Sequence, residues 1–153
     1  MKIVAFLQNQ WFRDPDAARR MYERSSHPRH RLNARCLFAG CKTGRVLRKV
    51  FGDLCDDIIW ENASAEIGGC SSSAFDPDLS HMADVICEHR PDVVLVFGTY
   101  AQAGLAKAEI LMGDAMPDRV FRLPHPISRI RGGLQRLRDA ATTLQTIQQE
   151  QSA

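Results

Sequence analysis

The sequence predicts an α/β fold, a three-layer α/β/α arrangement around a central, mostly parallel four-stranded sheet. Short apolar runs recur at Met1–Leu7 (MKIVAFL), Asp57–Trp60 (DIIW), Val93–Phe97 (VVLVF) and Arg119–Leu123 (RVFRL). Helix-patterned segments separate these runs, which is the βα alternation of a parallel sheet with helices on both faces. The run at Val93–Phe97 is apolar throughout, as befits a strand covered on both sides.

The elements follow in order. After the first strand, Asp14 caps a helix with Pro15 in its first turn, extending to about Arg24. Ser25–Arg35 (SSHPRHRLNAR) is polar, basic and proline-broken, and reads as a loop. Cys36–Gly40 leads into a short helix from Lys42 that ends near Gly52. The second strand ends in Glu61-Asn62-Ala63-Ser64, and Ile67–Ala74 (IGGCSSSA) reads as a small-residue loop. Asp76-Pro77 opens a helix through Arg90, with Leu79, Met82, Ala83, Ile86 and Cys87 on its apolar stripe. Pro91-Asp92 turns into the third strand, Gly98 ends it, and a helix runs from Tyr100 to about Met112. After the fourth strand a last helix runs from Leu134 to about Gln149, then frays into a Gln-rich tail.

At 153 residues the chain is long enough for one domain spanning 1–153 with a proper core. No apolar run approaches membrane-spanning length, and the apolar N-terminal stretch is too short for a signal peptide. The expected location is therefore the cytoplasm. The five cysteines form no CxxC pair and read as free structural thiols. His27, His30, Cys36 and Cys41 stand in an HxxH…CxxxxC order that could hold zinc, although the spacing is not that of a standard finger. No metal and no cofactor are assigned. Net charge is only +2, but arginines crowd Arg19–Lys49 and Arg119–Arg138, with acids such as Asp53, Asp56 and Glu61 between them. Such asymmetry suits a phosphate-facing surface, and equally a solvated helix face.

Ligands of parallel sheets bind beyond the carboxyl ends of the strands. Four strand ends converge there: Gln8–Trp11, Glu61-Asn62, Gly98–Tyr100 and His125–Arg129. They would bring carboxamides, aromatics and one proline-clamped imidazole to a single pocket. This set, in this order, resembles the uracil-DNA glycosylase superfamily. Gln8-Asn9-Gln10-Trp11 is similar to its first motif, Ile58–Asn62 to its strand with a base-reading asparagine, and Leu123-Pro124-His125-Pro126 with Arg129 to its His-Pro turn. Phe38-Ala39-Gly40, Thr43-Gly44 and Leu47 look like the phosphate-side loop of the thermostable iron–sulfur branch. Pro91–Gly98 is similar to its Pro-Lys-Val-Ile-type strand. The first motif departs from the family, with Leu7 in place of glycine and Gln10 in place of proline. No cysteine precedes Cys36, so the iron–sulfur cluster of that branch is not expected.

The resemblance implies hydrolysis of the N-glycosidic bond of a damaged or modified base, uracil-like or a 5-modified pyrimidine, flipped out of DNA. It implies that His125 stabilises the departing base and that Asn9 orients the water. Gln8, Trp11, Phe38 and Asn62 would contact the base, and Gly40, Lys42, Thr43, Gly44, Ser128, Arg129 and Arg131 the phosphates. The implied partner is single- or double-stranded DNA, met by a monomer, with no membrane involved. Plainer readings stand beside these. Asn9 suits a loop cap, Pro-His-Pro a rigid turn, Trp11 a core or rim aromatic, and Asn62 a strand-end backbone contact. At the level of the whole chain the alternatives are a non-catalytic DNA- or nucleotide-binding module and an enzyme acting on free nucleotides.

Overall fold

The computed structural model describes residues 1–69 and 75–153. Four parallel strands form the central sheet: β1 (Ile3–Leu7), β3 (Ile58–Asn62), β5 (Val93–Phe97) and β6 (Arg119–Leu123), in the order β3-β1-β5-β6. Every residue of β1 and β5 is buried, which explains their unbroken apolar sequences. β6 lies at an edge and keeps Arg119 and Arg122 exposed, charges that discourage pairing with another chain.

Side-chain alternation divides the core in two. Ile3, Ala5, Leu7, Trp60, Leu95 and Phe97 point to one face. There they meet α2 (Arg29–Leu37), α3 (Lys42–Phe51) and α7 (Gly133–Ser152) through Leu37, Leu47, Phe51, Leu137 and Leu144. Val4, Phe6, Val94 and Val96 point to the other face, against α5 (Leu79–His89) and α6 (Thr99–Met112) through Met82, Ile86, Ala101 and Leu105. The result is the three-layer α/β/α arrangement. Trp60 anchors the first layer, stacked on Phe97 with centroids 6.3 Å apart and edge-on to Phe38 at 5.5 Å.

Several local expectations need correcting. Ser25–Arg35 is not a loop throughout, because α2 begins at Arg29, directly after Pro28. Leu32, Asn33 and Leu37 form its buried stripe, while Arg29, Arg31 and Arg35 face outward and gave the segment its loop-like composition. Asp78, rather than Asp76, caps α5, accepting from the His81 amide at 3.0 Å. A short helix α4 (Leu54–Asp57) precedes β3, and β3 continues to Asn62. The last helix does not fray at Gln149 but continues to Ser152. Ile67-Gly68 is not loop but strand β4, paired in parallel with β2 (Gln10–Trp11). The remainder of the expected small-residue loop, 70–74, lies outside the described residues. Asp14 caps α1 (Pro15–Arg24) as expected, accepting from the Ala17 amide at 3.0 Å. No helix among the described residues is long and apolar enough to cross a membrane.

This strand order contains a reversal. The chain leaves β1 for β3 on one side, then crosses to β5 on the other. Connections diverge between β1 and β5, and that divergence opens a crevice at their carboxyl ends.

Candidate functional site

A cavity of about 170 Å³ lies at that crevice. Its wall is the chain that continues β1. The Leu7 carbonyl accepts from Ala63 N at 2.6 Å and the Gln8 carbonyl from Ser64 N at 2.9 Å, so the backbone stays extended past the sheet. Phe12 N then donates to Gly68 O at 2.9 Å, locking the β2–β4 ribbon. Gln8, Asn9, Trp11, Thr43, Asn62 and His125 all line the cavity, six of the residues singled out from sequence. Leu7, Phe12 and Leu37 supply its apolar surface.

Asn62 faces Leu7 across the β1–β3 pair and is only 6 % exposed. Among the described residues its amide has no hydrogen-bond partner. The Gln8 Nε2 is likewise buried without one. Buried polar groups are ordinarily satisfied, so the Gln8 amide stands out beside Asn62 at this cavity. Asn9 donates through Nδ2 to the Gln10 carbonyl at 3.4 Å. Trp11 stands at the mouth, 43 % exposed.

His125 enters from the turn after β6. The Leu123 carbonyl accepts twice, from Gly98 N at 2.9 Å and from Gln102 Nε2 at 2.8 Å, and Ser128 N closes the turn onto the His125 carbonyl at 2.9 Å. Ile127 N donates to His125 Nδ1 at 3.3 Å. An accepting Nδ1 places the proton of the neutral ring on Nε2. Burial lowers the His125 pKa, which favours that neutral form. Gly98 lies beneath the ring, and its φ of +84° is what calls for glycine; a Cβ there would make ordinary contact with the His125 Cβ at 3.5 Å.

The other expected contacts divide. Phe38 does not line the cavity; it packs edge-on to Trp60 beneath the Arg48 guanidinium, 4.6 Å from its ring centroid. Gly44 is buried where α3 meets α2, and its N–H is directed at Cys41 Sγ at 3.4 Å. The Gly40 carbonyl accepts from Arg45, and Ser128 Oγ accepts from Ile130 N at 3.2 Å. Lys42, Arg129 and Arg131 are exposed. Much of the first arginine cluster has structural work instead. Arg19 and Arg29 bond the carbonyls of Ile67 and Ala65, and Arg48 pairs with Asp56 at 2.8 Å.

Two thiols, Cys36 and Cys41, also line the cavity, although the sequence offers them only as structural cysteines or zinc ligands. Cys41 caps α3, its Sγ donating to Leu37 O at 3.1 Å. His30 packs on His89 with centroids 5.5 Å apart. No three His, Cys, Asp or Glu residues among those described gather as metal ligands, so the HxxH…CxxxxC order does not assemble a zinc shell there. Compared with known proteins, the chain matches no family model, no curated protein and no solved structure.

Proposed function

We propose that the protein is a DNA glycosylase of the uracil-DNA glycosylase superfamily, releasing a uracil-like or 5-modified pyrimidine flipped out of DNA. The observation that carries the reading is the meeting of Asn62, Gln8 and a neutral His125 in one small cavity. A cavity near 150 Å³ holds a benzene-sized ring. About 170 Å³ therefore suits one six-membered heterocycle better than a whole nucleotide, for which pockets are usually larger.

In this reading Asn62 and Gln8 pair with the polar edge of the base, satisfying their open amides. Trp11 stacks on the ring at the mouth. As the glycosidic bond breaks, negative charge grows on the base carbonyl, and the His125 Nε2–H donates to it. Asn9 orients the attacking water. Lys42, Arg129 and Arg131 face the phosphates, and the exposed Ile127 and Ile130 on the same turn suit contact with a disrupted base stack.

One observation favours a second reading, a module that binds a flipped base without cleaving it. Among the described residues that line the cavity none is Asp or Glu, so no carboxylate among them takes a proton from water. Base release from oligonucleotides carrying uracil, hypoxanthine, xanthine or 5-modified pyrimidines separates the two. Abasic sites formed by wild type, and not by Asn9→Ala or His125→Ala, support the glycosylase. Binding without abasic product supports the module. Absence of both abandons DNA as the partner and favours free nucleotides.

A further inference from the structure

Behind the cavity wall lies a buried hydrogen-bond network that no pocket role requires. Asn33 of α2 is 3 % exposed and Glu61 of β3 is 5 % exposed. Asn33 Nδ2 donates to the Trp60 carbonyl at 3.0 Å and to Glu61 Oε2 at 3.2 Å. Both partners are acceptors, so the orientation of the Asn33 amide is fixed and its Oδ1 must face the other way. There Oδ1 accepts from the Tyr22 hydroxyl at 2.8 Å and from Gln10 Nε2 at 3.3 Å. The Tyr22 hydroxyl also lies 2.9 Å from Gln10 Oε1. Burial raises the Tyr22 pKa, so the phenol stays protonated and remains a donor. Every donor and acceptor of Asn33 is engaged, on β3 at one end and on β2 at the other.

Gln10 stands beside Asn9 and Trp11 in the wall, so its side chain is the link between the network and the cavity. We infer that Asn33 and Glu61 are positioning residues of the base pocket, Glu61 setting the Asn33 amide and Asn33 setting the Gln10–Trp11 wall. A buried carboxylate is costly to keep unless its hydrogen bonds organise something. Here they hold a two-residue strand that lies outside the main sheet. His81 Nε2 lies 3.6 Å from Glu61 Oε2, the same oxygen that accepts from Asn33.

The inference rests on the pocket reading, and two measurements keep the fates of the two ideas apart. The first is a double-mutant cycle of Asn33→Ala and Gln10→Ala on affinity for an oligodeoxynucleotide carrying one uracil. Each single variant loses affinity about tenfold, and the double variant loses no more than either, because both act through one link. Losses that multiply to about a hundredfold overturn the inference. Glu61→Gln, whose amide oxygen still accepts from Asn33, retains affinity within about twofold, whereas Glu61→Leu behaves like Asn33→Ala. Equal losses in both Glu61 variants overturn the role given to Glu61.

The second measurement is amide hydrogen exchange, which needs no ligand. Tyr22→Phe removes one hydroxyl and serves if Asn33→Ala fails to fold. Exchange speeds up about tenfold or more at Gln10–Phe12 and is unchanged at Ile3–Leu7. Uniform change, or none at Gln10–Phe12, overturns the inference even if DNA is bound. If wild type binds no uracil DNA but this local effect appears, the pocket reading fails and the positioning role of the network stands.

Discussion

The Ile127 amide donates to Nδ1 of His125 at 3.3 Å, and that one contact decides which ring nitrogen carries the proton. With Nδ1 accepting, the neutral ring offers Nε2–H to the cavity. His125→Ala is expected to fold normally and to lose about 10²- to 10³-fold in the rate of base release, the usual cost of removing one donor to a developing oxyanion. Single-turnover assays beside thermal unfolding check this. A rate within a factor of a few of wild type removes His125 from the chemistry.

The same residue sets a pH dependence of stability. Burial lowers the His125 pKa below the ordinary 6.5, and burial also lowers that of His30. The unfolded chain then binds these protons more readily than the folded one. The associated stability is complete above pH 6.5 and is lost as pH falls through the window below it. His125→Gln is expected to flatten that decline, leaving the part due to His30. Urea midpoints between pH 5 and 8 measure it, and an unchanged slope rules out a titrating His125.

Gly98 supports this ring from below. Its φ of +84° disfavours any side chain, and a Cβ would come into van der Waals contact with His125, so backbone adjustment at this position reaches the ring. Gly98→Ala is expected to cost about 1–3 kcal/mol of stability and to slow base release further than partial unfolding explains. Activity measured well below the melting transition separates the two effects. Full activity in a destabilised variant would mean that the His125 ring tolerates the contact.

These features differ in how far the sequence reveals them. β1 and β5 are legible because strands covered on both faces must be apolar at every position. Gln8 is legible because it follows such a run, Asn62 because it ends the mostly apolar β3, and His125 because prolines bracket it after β6. α2 is not, since its buried stripe holds only Leu32, Asn33 and Leu37 amid exposed arginines. Asn33 looks like a loop residue until its partners are known, and Trp60 and Glu61 lie 27 and 28 residues away. The resemblance gives Phe38 and Gly44 ligand contacts; in the fold Phe38 packs edge-on to Trp60 and Gly44 lies at a helix crossing. A Cβ on Gly44 would sit 1.8 Å from Leu37 O, a distance that only backbone movement relieves.

Charge makes a separable prediction. Arg129 and Arg131 are exposed beside the His125 turn, whereas Arg48 is held by Asp56 and the Phe38 ring. Arg129→Ala and Arg131→Ala are each expected to weaken DNA binding and to reduce the slope of log K against log salt by about 0.7–0.9. Arg48→Ala should leave that slope unchanged. Titrations at several salt concentrations decide the matter, and an equal drop for all three would place the DNA on α3 as well.

Asn62 is where stability and function should part. The residue is 6 % exposed and its amide makes no hydrogen bond to a described residue, so the fold loses no bond when the amide is removed. Replacing Asn62 by leucine, of similar size, keeps the volume beside its strand neighbour Leu7. Asn62→Leu is therefore expected to be as stable as wild type or more so, by up to about 1–2 kcal/mol, while losing affinity for a flipped base by at least about tenfold. Urea unfolding and oligonucleotide binding on the same samples test both halves. A variant that loses both stability and binding would show that the Asn62 amide serves the fold, and the pocket would then lose the residue that best explains its polarity.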